Sequence, residues 1–200
     1  KCYYLNSSLK SFKLNLFKDF KENITYSLDS WNGYFYNHTN DNAVDFKIER
    51  ASHSSINKVK FFVPPKKDTI IGSYLILNDW FIWSETKNAN QKIFIINFSS
   101  NIIREIDFFK EPIKSLSIST YEKNKKSDYI YISYSSPKSP NKVFLYNLKT
   151  GKKKIVKKQV IPSGFNEENY VTERIYALTT NKVKIPITII RHKKTKLDGR

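Results

Sequence analysis

Tyr34-Phe35-Tyr36-Asn37-His38-Thr39-Asn40, Phe81-Ile82-Trp83-Ser84-Glu85-Thr86-Lys87 and Tyr131-Ile132-Ser133-Tyr134-Ser135-Ser136-Pro137 are three versions of one run. Each is apolar or aromatic first and polar afterwards, and the shifts between them are 47 and 50 residues. A fixed period of this size is the mark of a repeated supersecondary unit, because each unit places its strands and turns at the same offsets.

The neighbouring runs keep those shifts. Phe46-Lys47-Ile48-Glu49-Arg50-Ala51, Ile93-Phe94-Ile95-Ile96-Asn97-Phe98 and Val143-Phe144-Leu145-Tyr146-Asn147-Leu148 each start 12 residues after the preceding run starts. A fourth run follows at residues 58–63, 104–108 and 153–158, and a first run precedes at 24–29, 73–78 and 116–120. Asn32-Gly33 and Lys149-Thr150-Gly151-Lys152 supply hairpin turns, since both offer residues that tolerate positive φ. Four antiparallel strands every 45–50 residues is the pattern of a β-propeller blade. A β-sandwich also has short strands, but it predicts no fixed period of turns and aromatics. Three units fill about residues 24–162, and residues 3–5 with 12–17 read as the last two strands of a preceding unit. About three and a half blades leave two sheet faces uncovered, so such a partial propeller is expected to need the rest of a longer chain. The sequence contains no Met, which suggests a piece of a longer reading frame.

Composition supports an all-β reading. The 24 Ile, 14 Phe and 13 Tyr suit half-buried pleated strands. Five Gly without a Gly-rich loop argue against a dinucleotide or P-loop fold, whose phosphate cradles need close backbone approach. Cys2, the only cysteine, permits neither an internal disulfide nor a Cys-based zinc site, and no cofactor or metal is expected. No apolar run approaches the roughly 20 residues that span a bilayer, and the first residues lack a signal-like apolar core. A cytoplasmic location without membrane attachment is the expectation.

The net charge is +17, divided as +4 over residues 1–100 and +13 over residues 101–200. Lys149, Lys152, Lys153, Lys154, Lys157 and Lys158 form the densest run, which could attract a polyanion through sequence-independent electrostatics. Only five of the 35 basic residues are Arg, the residue of bidentate phosphate and base recognition. Lys, Asn and Ile are abundant together, as an AT-rich coding sequence would give. The run is therefore read as a solvated strand or edge, with no specific nucleic-acid partner.

After Pro162 the period ends, and two further strand runs, residues 171–179 and 183–190, flank Thr180-Asn181-Lys182. Here the chain resembles the oligopeptidase B (protease II) branch of the prolyl oligopeptidase serine peptidases. The similar stretches are Tyr134-Ser135-Ser136-Pro137, residues 143–151 and 162–170, Thr172-Glu173-Arg174-Ile175-Tyr176, and above all Lys184-Ile185-Pro186-Ile187-Thr188-Ile189-Ile190-Arg191-His192-Lys193. The resemblance implies a propeller at residues 1–162, and at 163–200 a linker with the first hairpin of an α/β-hydrolase domain. It also implies an ATP- and metal-independent peptidase that cuts short peptides after Lys or Arg, with a propeller that keeps folded proteins from the active site.

The family's nucleophile sits in a Gly-x-Ser-x-Gly elbow, followed by Asp and His. No Ser in this sequence has Gly at both −2 and +2, so no triad residue can be carried over and the chain alone is expected to be inactive. His38, His53 and His192 lack metal-ligand spacing. Trp80 and Trp83 read as blade core rather than base-stacking platforms. Ile185, Ile187 and Ile189 alternate with Pro186, Thr188 and Ile190, giving an apolar face whose natural cover is the hydrolase domain. Two other readings stay open: a free-standing propeller-like module that binds proteins or peptides, and a non-functional remnant of a split peptidase gene.

Overall fold

The computed structural model describes residues 1–6, 13–120 and 125–199, which form two compact units, Lys1–Ile71 and Gly72–Arg200. Among the described residues all regular structure is strand except one 3-10 turn, Glu167–Asn169.

In the first unit a two-stranded sheet, β1 (Cys2–Leu5) and β2 (Leu14–Lys18), precedes a four-stranded meander of β3 (Tyr26–Trp31), β4 (Tyr34–Thr39), β5 (Lys47–Ser52) and β6 (Ser55–Val63). The expected run at 12–17 is met by β2, while Phe12 lies outside the described residues. Asn32 and Gly33, at φ 47° and 80°, make the two-residue loop between β3 and β4, and both being left-handed matches the twist of the paired strands. Phe35 links the two sheets, with ring centroids 4.8 Å from Tyr4 and 5.4 Å from Phe17. The same face buries an ion pair that the sequence did not signal. Lys47 Nζ lies 2.7 Å from Glu49 Oε1, which offsets the cost of taking both charges out of water.

In the second unit β7 (Thr69–Ile76, which begins at the end of the first unit), β8 (Trp80–Lys87), β9 (Asn90–Asn97) and β10 (Ile103–Glu105) form the next meander. β11 (Ser115–Thr120), β12 (Tyr129–Ser136), β13 (Ser139–Asn147) and β14 (Lys153–Lys158) form the third. The 50-residue repeat extends to single hydrogen bonds. Asn97 and Asn147 each accept through their backbone carbonyl from the residue four on, Asn101 and Gly151, at 2.9 Å in both cases. Asn97 Oδ1 also accepts from Ser99 and Ser100, and Asn147 Oδ1 from Thr150, so the two turns share one Asn-closed design.

Facing sides of these two sheets make one core that includes Leu77, Trp80, Ile82, Ile93, Ile130, Ile132, Phe144 and Leu148. Each such side chain contributes about 1.5–3 kcal/mol by leaving water. The fourth run of the second repeat, expected over 104–108, is a strand only over Ile103–Glu105. The chain leaves the sheet because Ile106, Phe108 and Phe109 turn into this core, where Phe109 stacks on Tyr134 at 4.8 Å and Phe108 on Tyr146 at 5.7 Å. A clasp ties the two sheets together. Trp80 Nε1 donates to Asp128 Oδ1 at 3.1 Å, and Arg104 Nη2 donates to the Leu148 carbonyl at 2.8 Å.

The second unit ends in an antiparallel pair, β15 (Tyr170–Leu178) and β16 (Lys184–His192), which is a separate two-stranded sheet.

Candidate functional site

The β15–β16 pair is a long hairpin in unbroken register from Tyr170↔His192 to Leu178↔Lys184. Its β-branched residues favour extended backbone. Lys182, at φ 61°, closes the loop, and Thr179 fixes it twice: its backbone N–H donates to the Val183 carbonyl, and its Oγ1 accepts from the Val183 N–H, both at 3.0 Å.

The base of the hairpin is pinned. Arg174 Nη1 donates to the Asn88 carbonyl at 2.5 Å, reaching the β8–β9 turn from 86 residues away. Arg191 Nη2 contacts Glu173 Oε1 at 2.6 Å, and Tyr170 stacks on Phe165 at 5.0 Å. Just before the hairpin, Lys142 Nζ contacts both Glu167 oxygens at 2.8 and 2.9 Å. Burial pushes the Glu167 carboxyl up, but the hydrogen bonds from Lys142 and the Lys142 and Lys158 charges outweigh it, leaving the group below its ordinary value.

The tip is uncovered. Burial falls steadily from Thr172 at the base to Ala177 and Leu178 at the tip. Ile185 and Ile187 are exposed and Ile189, nearer the base, is half-covered. These three share a face with Ala177, Ile175 and Glu173, their cross-strand partners. The partner strand thus adds two apolar residues at the tip and one carboxylate at the base. The opposite face also exposes apolar groups, among them Tyr176, Leu178 and Ile190.

The histidines are engaged in packing. His38 Nε2–H donates to the Ile71 carbonyl at 2.8 Å, and its ring stacks on Phe46 at 4.7 Å. His192 meets Tyr170 edge-on at 5.6 Å. His53 Nε2 lies 3.0 Å from Ser30 Oγ at the wall of a 580 Å³ cavity, but its ring sits against Phe35 at 4.4 Å and Ser30 is on a strand rather than a nucleophile elbow. Among the described residues no three His, Cys, Asp or Glu side chains are grouped to hold a metal ion. Trp80 and Trp83 are both buried, and Trp83 Nε1 donates to Glu85 at 2.8 Å. No helix among the described residues is long and apolar enough to cross a membrane.

The N-terminal β-propeller domain of the prolyl oligopeptidases matches residues 1–159 as a family model. Dipeptidyl aminopeptidase BI of Pseudoxanthomonas mexicana is 27% identical over 186 residues, which are 90% of this chain and 25% of that protein. The prolyl endopeptidase of Elizabethkingia meningoseptica is 34% identical over 79 residues, 40% of this chain and 11% of that one. Oligopeptidase B from Trypanosoma brucei, solved in a closed form with covalently bound antipain, superposes with a TM-score of 0.83 at 18% identity, over 94% of this chain and 28% of that chain. That likeness speaks for the fold, and the chain spans about a quarter of the length of the full-coverage relatives. With three four-stranded repeats and a family match over most of its length, the chain is a partial β-propeller and belongs to the prolyl oligopeptidase family, within its N-terminal propeller domain.

Proposed function

We propose that this chain is the propeller portion of an oligopeptidase B-like serine endopeptidase, in which residues 1–162 screen substrates by size and residues 163–200 lead into the hydrolase domain. The full enzyme cuts short peptides after Lys or Arg in the cytoplasm, without cofactor or metal. This chain supplies no nucleophile, and the hydrolase domain of the same peptidase is its partner, docked on Ile185, Ile187 and Ile189. The observation that carries the reading is the hairpin: a base held by Arg174 and Glu173–Arg191, and a tip whose Ile185 and Ile187 stay exposed among the described residues. Apolar surface of that kind marks a contact site.

The test is complementation. Residues 1–200 alone should associate through the hairpin tip and should not react with a serine-directed fluorophosphonate. Mixed with the hydrolase half of the peptidase, they should become monodisperse and cleave a short dibasic fluorogenic peptide but not a folded protein. The Ile187→Asp/Ile189→Asp pair should block that rescue, because docking would bury unpaired charge. A monodisperse chain that gains nothing from the hydrolase half would favour the free-standing binding module.

A further inference from the structure

The fourth strand of each meander is an outer edge, with one row of backbone groups unpaired within its sheet. The three edges differ in charge. The segment around β6 carries Lys58, Lys60, Lys66 and Lys67, and the segment around β10 carries Arg104 against Glu105 and Asp107. Around β14 stand Lys149, Lys152, Lys153, Lys154, Lys157 and Lys158, with no acidic residue from 149 to 158.

Two of the six are already used. Lys149 pairs with Asp128 at 2.9 Å, and Lys153 lies over the Phe108 ring at 4.3 Å. Lys158 feels Glu167 across a gap, but Lys152, Lys154 and Lys157 project into solvent. Every residue of β14 is exposed, including Ile155 and Val156 at 48% and 46%. Open backbone, two exposed apolar side chains and the ammonium groups of Lys154 and Lys157 coincide on one strand, with Lys152 just before it.

We propose that the outer edge of β14 receives an extended acidic peptide as a fifth strand of its sheet, with carboxylates answering Lys152, Lys154, Lys157 and Lys158. Strand addition uses main-chain hydrogen bonds for affinity and alternate side chains for selection. A duplex nucleic acid could use the charge but not the backbone ladder, so the two are separable.

The experiment immobilises the 200-residue chain sparsely, which keeps hairpin tips apart, and passes over it the peptide Glu-Val-Glu-Val-Glu-Val-Glu. Binding should be saturable and should weaken with salt. The same peptide N-methylated at alternate residues should bind at least about tenfold more weakly, because it loses ladder hydrogen bonds. The variant Lys152→Gln/Lys154→Gln/Lys157→Gln/Lys158→Gln, checked for an unchanged melting curve, should also lose about tenfold, as four exposed ion pairs would give. Lys58→Gln/Lys60→Gln on β6 should change nothing. Equal binding of the N-methylated peptide, tighter binding of duplex DNA, or no saturable binding at all would overturn the proposal.

Discussion

β8 and β16 are both strands of eight or nine residues dominated by large apolar side chains, yet they meet opposite fates. In β8, Trp80, Phe81, Ile82 and Trp83 are each 5% exposed or less, on both faces. In β16, Ile185, Ile187 and Ile190 are 40–47% exposed, again on both faces. The difference lies in neighbours. β8 has a hydrogen-bonded strand on either side, and its Trp80–Ile82 face packs against the β11–β14 sheet. β16 has one strand partner among the described residues, β15, and is partly buried only at Ile189, Arg191 and His192 near its base. An apolar strand therefore declares a need for cover, and where that cover lies depends on the architecture around it.

One substitution made at both places tests the contrast most severely. Ile82→Asp would bury a charge with no partner, and the second unit should lose more than about 4 kcal/mol and fail to fold. Ile185→Asp places the same charge in water and should leave stability within about 0.5 kcal/mol of the parent while reducing self-association. Denaturant unfolding with light scattering reads both. Comparable losses at the two sites would mean that the hairpin tip is covered after all.

The same contrast governs what could be read from sequence. The repeat was legible because the blades are built from local meanders, so that turn residues such as Asn32-Gly33 and Asn147 sit at fixed offsets from the apolar runs. The end of β10 was not, because Ile106, Phe108 and Phe109 continue an apolar strand pattern while their destination is a neighbouring sheet. The hairpin strands were legible for their alternation. Their anchoring by Arg174 on Asn88 was not, since no local pattern connects residues 86 apart. The buried Lys47–Glu49 pair shows the same limit, because two charged residues at i and i+2 look like a solvated strand face, and their burial depends on the tertiary structure.

A smaller effect tests what holds the covered side of the comparison. Asp128 accepts from Trp80 Nε1 across the two sheets, with Lys149 beside it. Asp128→Ala should cost about 1–2 kcal/mol by leaving the indole N–H without its acceptor. Asp128→Asn keeps an acceptor and should cost well under half as much. If both variants lose the same amount in chemical denaturation, the charge rather than the hydrogen bond holds the clasp.

The hairpin turns offer a finer version of the same question. Asn32-Gly33 and Asn88-Ala89 close two-residue loops with positive φ throughout, at 47° and 80° and at 51° and 54°. Gly33 adopts this freely, whereas the Ala89 Cβ makes it costly, by about 1 kcal/mol. Ala89→Gly should stabilise the second unit by up to about 1 kcal/mol, less the extra freedom gained by the unfolded chain. A destabilised variant would show that the exposed methyl packs against something, which would also alter the account of how Arg174 approaches the neighbouring Asn88 carbonyl.

The smallest effect belongs to the joint between the covered and uncovered regions. Glu167 has its pKa held below the ordinary carboxylate value of about 4.3, so its contact with Lys142 is fully present above that value and is lost as pH falls through the folded-state value. The contact is half-buried and contributes less than about 1 kcal/mol. It secures the segment that leads into the hairpin, where the Lys193 N–H donates to the Asn169 carbonyl at 2.8 Å. Exchange of the Lys193 amide should therefore be up to about fivefold faster in Glu167→Gln than in the parent at pH 6.5. As the pH falls through the folded-state value the ratio should approach one, because the parent loses the same charge. Comparing the two chains at each pH cancels the intrinsic pH dependence of exchange, so a ratio that stays constant would mean that the Lys142–Glu167 contact does not restrain the hairpin base.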